Sequence, residues 1–97
     1  MQYSAPVVLF VYNRPWHFQK TVEALRRNEL AGESALFVFS DGPKGNSDQE
    51  GVEKVRMYAK TITGFKNIKV IDRDQNIGLA KSIIAGVTEV VNDYGSI

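Results

Sequence analysis

The chain has 97 residues, 43% of them apolar and 10% aromatic, enough to close one hydrophobic core and too apolar for a disordered segment. Lysine and arginine (12) nearly balance aspartate and glutamate (11), for a net charge of +1, and no basic run interleaved with aromatics marks a nucleic-acid surface. With no cysteine, disulfide frameworks and thiolate metal sites are excluded, which fits a reducing compartment.

The longest apolar run, Pro6 to Tyr12, falls far short of the ~20 residues that span a bilayer. No charged n-region followed by an apolar h-region opens the chain. The expectation is a cytoplasmic protein without a transmembrane segment.

Pro6–Tyr12 is continuously apolar and mostly β-branched or aromatic, the pattern of a strand buried on both faces of a parallel sheet. Asn13-Arg14-Pro15 ends it, because proline suits a first helical turn and holds Arg14 extended. From Trp16 to about Asn28 the residues Phe18, Val22 and Leu25 recur at helical spacing. Arg26 and Arg27 lie where the helix dipole favours cations.

Ala35–Ser40 predicts a second buried strand, and Asp41–Asn46 is a loop of turn formers. Ser47-Asp-Gln-Glu50 reads as a capping box at the start of a helix carrying Val52, Val55, Ala59 and Ile62. Gly64 is placed as its stop. Asn67–Asp72 alternates, with Lys69 between Ile68 and Val70, as an edge strand does. After the polar loop Arg73–Gly78, Leu79 to Tyr94 predicts a long helix with Leu79, Ile83, Ile84, Val87, Val90 and Val91 in one stripe.

The resulting βαβαβα order, with strands starting about 30 residues apart, predicts a single α/β domain of three layers, helix–sheet–helix. Right-handed crossovers make the sheet parallel, in the order 3-2-1. A fourth strand beside strand one would complete a switch-point crevice. Gly95-Ser-Ile97 begins another apolar segment, so the chain is expected to be the front part of a longer domain. Strand one then has an open edge, a site for dimerisation.

Three junctions open on one edge of this sheet. The first lacks Gly-x-Gly-x-x-Gly, and Pro15 removes an amide that a Rossmann loop needs. Gly42-Pro-Lys-Gly-Asn-Ser47 lacks the Gly-Lys-Ser/Thr of a P-loop, and Tyr12-Asn13 offers no acidic pair for a phospho-receiver. Phosphate would have to be held by side chains or a helix N-terminus.

Arg14 offers a planar fork to a diphosphate, or pairs with a local acid. Asp41 can accept a hydrogen bond from a ring N–H such as uracil N3, or is simply the turn residue of Asp-Gly-Pro. Asp72–Lys81 delivers a helix N-terminus that favours an anion. Asn76 as a cap and Gly78 as a turn former explain those two residues without a ligand but not Lys81. His17 reads as a solvated helix residue, and Asp72 with Asp74 as solvated acids rather than a metal pair.

Phe10-Val-Tyr-Asn-Arg-Pro15, Phe37-Val-Phe-Ser-Asp-Gly-Pro43 and Asn76-Ile-Gly-Leu-Ala-Lys-Ser82, in this order and spacing, resemble the amino-terminal half of GT-A fold glycosyltransferases. The likeness is to the family-2-like group and to relatives of the N-acetylglucosaminyltransferases, and it covers essentially the whole chain. It implies a Rossmann-like half of a GT-A fold that binds a nucleoside diphosphate sugar, with UDP the expected carrier.

By the same resemblance Tyr12 and Asn13 would flank base and ribose, and Arg14 would meet base or diphosphate. Asp41, beside Gly42, would hydrogen-bond the base, and Asn76, Gly78 and Lys81 would lie along the nucleotide. A divalent metal, Mn or Mg, would be held by an acidic Asp-x-Asp-type motif beyond Ile97, as would the glycan or lipid acceptor and any catalytic base. The chain alone is then expected to be inactive.

Two other readings stand beside this one. A nucleotidyltransferase would carry a glycine-rich Gly-x-Gly-Thr-Arg-like loop after strand one, which Asn13-Arg14-Pro15 does not supply. A stand-alone α/β interaction module would show no nucleotide affinity.

Overall fold

The computed structural model describes residues 6–29 and 31–94. Its elements are β1 (Val7–Val11), α1 (Pro15–Arg26), β2 (Ala35–Ser40), α2 (Gln49–Ala59), β3 (Asn67–Asp72) and α3 (Leu79–Tyr94), with single 3₁₀ turns at Ala31–Glu33 and Asn46–Asp48. The strands form one parallel sheet in the order β1-β2-β3. This is the expected Rossmann-like α/β half-fold, with β2 central.

All six residues of β2 are buried, as its unbroken apolar sequence requires for a strand covered on both faces. Leu36 and Val38 face α1 and α2, where they pack with Phe18, Val22, Val55, Ala59 and Ile62. Phe37 and Phe39 face the other way, toward Val90 of α3. Phe39 stacks on its sheet neighbour Phe10, with ring centroids 5.4 Å apart. Edge-to-face contact of Phe18 with Tyr58 joins α1 to α2.

β1 differs from the expected doubly buried strand: each of its residues is only half-buried. Its sequence matches that of β2 in character, but among the described residues only β2 flanks it. β3 alternates exposed and half-buried residues, with Lys69 and Asp72 outward, as expected of an edge.

The capping box is not formed. Asp48, not Ser47, precedes α2, and the helix start carries no side-chain cap. The Asp48 carboxylate instead accepts the Lys44 and Gly45 N–H groups (3.1 and 3.2 Å), holding the 43–48 loop closed, and Glu50 pairs with Lys54 one helical turn on at 3.0 Å. α2 ends at Ala59, and Gly64, with φ +94°, turns the chain into β3 rather than stopping the helix.

α3 seats on the sheet through small residues. Ser82, Gly86 and Val90 are its buried line, and a Cβ on Gly86 would come within 2.7 Å of the Phe10 ring and 3.1 Å of Phe39. The stripe expected from the large apolar residues lies mostly outside. Leu79, Ile83, Ile84 and Val87 are exposed, and only Val90 is fully buried.

Candidate functional site

Parallel strands end together, so the loops after β1, β2 and β3 meet at one edge of the sheet. Val11 passes its carbonyl to the Asp41 N–H (2.9 Å), and the Ser40 carbonyl accepts the Arg73 N–H (2.9 Å). From below, α2 contributes Arg56. Its guanidinium donates to Ser40 Oγ and to the carbonyls of Asp41 and Arg73, and it lies 3.6 Å from the Asp72 carboxylate. One planar fork thus ties the ends of β2 and β3.

Above this fork, Asp41 bolts the third junction to the second. Its Oδ1 accepts the N–H groups of Gly42 (3.0 Å) and Ile77 (2.9 Å), and Oδ2 accepts that of Gly78 (3.0 Å). The Asn76 amide donates to the Gly42 carbonyl at 2.9 Å. The two loops approach so closely that a Cβ on Gly42 would lie 2.7 Å from the Gln75 backbone. Gly78 supplies φ +83°, and its carbonyl accepts the Ser82 N–H, the first bond of α3.

Arg73 anchors α3 over the site. It pairs with Glu89 at 3.3 Å and lies across the Phe39 ring, while its Nε and Nη2 are buried without hydrogen-bond partners.

These ties leave a cavity of about 200 Å³ between the end of β1 and the start of α3. Phe10, Val11, Tyr12 and Leu79 give it aromatic and apolar walls, and Asp41, Lys44, Asn76, Gly78 and Ser82 complete the lining. Four of the residues expected at the site, Tyr12, Asp41, Asn76 and Gly78, line it, and Gly42 lies directly behind, bonded to Asn76. Asn13, Arg14 and Lys81 do not. Asn13 packs against Gly51 of α2, Arg14 is exposed as the residue preceding α1, and Lys81 is exposed on the first turn of α3.

Two lining residues carry no strong local signal in the sequence. Lys44 sits among turn formers, and its N–H reaches the Tyr12 hydroxyl at 3.4 Å. Ser82 stands in the sequence only as the last residue of the Asn76–Ser82 motif, and its place in the lining follows from the buried line of α3. His17 is exposed on α1, where its carbonyl accepts the Thr21 hydroxyl.

Phe10 and Tyr12 present aromatic surface to the cavity, and Lys44 is, among the described residues, the one cationic residue in its lining. Among the described residues no three His, Asp or Glu groups cluster to hold a metal ion. Asp41 is committed to backbone amides and Asp72 faces Arg56; the metal that the glycosyltransferase resemblance implies is expected on an acidic motif beyond Ile97. A second depression, of about 510 Å³, runs along α1 from Trp16 to Leu25, with Lys20 over the Trp16 ring. It is wide and open, and no carboxylate lines it.

The fold and site define a layered α/β protein with a cavity at the carboxyl ends of its strands, where ligands bind in open parallel sheets. Comparison of the chain with protein-family models, with curated proteins and with solved structures finds no match. No helix among the described residues is long and apolar enough to cross a membrane.

Proposed function

We propose that the strand-end cavity binds the base of a nucleoside diphosphate sugar, and that the chain is the donor-binding part of a GT-A-type glycosyltransferase acting on a glycan or lipid acceptor. The observation that carries the reading is the meeting of three sequence-distant junctions, at Tyr12, Asp41 and Gly78, around one partly aromatic cavity. At about 200 Å³ the cavity is smaller than the ~300 Å³ lower bound of ordinary ligand pockets. It therefore takes the ring of a nucleotide and leaves ribose and phosphates outside, toward Lys44. UDP is the expected carrier.

A non-catalytic interaction module is the second reading, and one observation favours it. Asp41, Gly42, Asn76 and Gly78 are each accounted for by the loop–loop ties without a ligand.

Amide NMR titration with UDP, GDP, ADP and CMP separates the two. The donor-site reading expects one nucleotide to shift the amides of Tyr12, Lys44 and Gly78 together. Exposed Lys44→Ala should weaken that binding about tenfold, the value of one charge-assisted contact of ~1.5 kcal/mol. No shift at those three residues with millimolar nucleotide, both in this chain and in one extended through the expected acidic strand with Mn²⁺ present, refutes it and leaves the interaction module.

A further inference from the structure

Among the described residues four polar side chains are buried: Ser34, Ser40, Asp41 and Ser82. The first three are engaged within the fold. Ser40 Oγ accepts from Arg56, Asp41 accepts three backbone N–H groups, and Ser34 has its own partner. Ser82 is only 3% exposed, yet its hydroxyl has no hydrogen-bond partner among the described residues. Elsewhere on the helices, the exposed hydroxyls of Thr21 and Thr88 donate to the carbonyl four residues back. Ser82 makes that bond through its backbone N–H alone.

The close seating of α3 does not account for the hydroxyl. Alanine is as small, favours the helix more and hides no polar atom, whereas a buried hydroxyl without a partner costs free energy. Ser82 does reach the cavity, sharing its lining with Phe10, Tyr12, Asp41 and Asn76. There the Asp41 carboxylate only accepts, while a serine hydroxyl both donates and accepts.

We propose that Ser82 is a specificity-determining residue of the cavity, its hydroxyl hydrogen-bonding a carbonyl oxygen or ring nitrogen on the edge of the heterocycle that enters. The role rests on the donor-site reading and adds to it which part of the ligand is selected. Lys44, exposed at the wall, meets the phosphates, which all nucleotides carry. Ser82 meets the ring, in which they differ. A ring with the wrong edge leaves the hydroxyl unpaired in a closed space, and that penalty is what discriminates.

Titration of Ser82→Ala with UDP, GDP, ADP and CMP, under the conditions in which the unaltered chain binds, tests this. The preferred nucleotide should lose about tenfold in affinity, as for one buried hydrogen bond. The other three should change less, so the preference narrows. Lys44→Ala should instead weaken all four and keep their ranking. Because Ser82→Ala removes an unpaired buried hydroxyl and raises helix propensity, its urea midpoint should stay level or rise.

Unchanged affinity and ranking, with the Tyr12, Lys44 and Gly78 amides still shifting, overturns the role of Ser82 and leaves the donor site standing, its hydroxyl met by solvent alone. A lowered urea midpoint with equal weakening of all four nucleotides also overturns it, making Ser82 a packing residue. If no nucleotide binds the unaltered chain or the extended one, the donor-site reading fails and this role fails with it.

Discussion

Asp41→Asn is the most discriminating test of how the site is held. The substitution is nearly isosteric and keeps an oxygen at the Oδ1 position, where the Gly42 and Ile77 N–H groups are accepted. It replaces Oδ2 by an amide NH₂, setting donor against donor at the Gly78 N–H, 3.0 Å away. One hydrogen bond to a charged acceptor contributes ~1.5–3 kcal/mol, and losing the charge weakens the other two. The expected cost is about 2–3 kcal/mol for Asp41→Asn and about 3–5 kcal/mol for Asp41→Ala, which abolishes all three bonds.

Against a total stability of roughly 5–15 kcal/mol for a domain, either loss is large. With a urea slope of ~1–2 kcal/mol/M for a chain this small, the Asn variant should lose about 1–3 M in its unfolding midpoint, followed by far-UV circular dichroism. Hydrogen exchange locates the effect, since the Ile77 and Gly78 amides should lose protection while the β2 amides report only global unfolding. A cost under about 0.5 kcal/mol, the range of neutral surface changes, together with unchanged exchange at Ile77 and Gly78, refutes the bolt.

Two further outcomes follow from the packing and the ionisation of the opposite layers. Gly86→Ala gains about 1 kcal/mol of helix propensity, but its Cβ meets the Phe10 ring at 2.7 Å while Phe39 stacks behind that ring. Overpacking of ~1–3 kcal/mol offsets or outweighs the gain, so equilibrium unfolding should show a net loss of up to about 2 kcal/mol, and a stabilised variant contradicts the close seating of α3. The Tyr58 phenol titrates above its ordinary value of 10.0, through burial first and the Glu23 carboxylate second, with Arg26 opposing. The folded state therefore holds that proton more tightly than the unfolded chain. The stabilisation is complete below pH 10.0 and is lost as pH rises through the higher folded value. Tyr58→Phe should flatten this alkaline fall in stability, measured by denaturation at stepped pH.

Much of the scaffold is legible from local pattern. β2, β3 and α3 fall on their expected residues, marked by an apolar run, by partial alternation and by helical spacing. Pattern reading fails where burial depends on a neighbour. The β1 run looks doubly buried because its sequence records apolar character and not how many strands flank it. Large residues pointed to the stripe on α3, but the helix packs through Ser82 and Gly86, whose smallness lets it approach two phenylalanines. At the site, residue type marked Asp41, Asn76 and Gly78, yet spacing alone could not show that Asp41 binds the loop of α3. Arg56 looks like any basic residue on a solvated helix until the ends of β2 and β3 are placed above it.

The ties around the cavity also bear on its motion. Arg56 bonds both strand ends, Asp41 and Asn76 cross-link the loops above, and Gly42 leaves no gap between them. The loops after β2 and β3, joined at so many points, cannot open separately, so that wall of the cavity shifts as one body. A ligand lying against that wall would freeze little of its backbone freedom. A contact on the α3 side is felt at once at the end of β2.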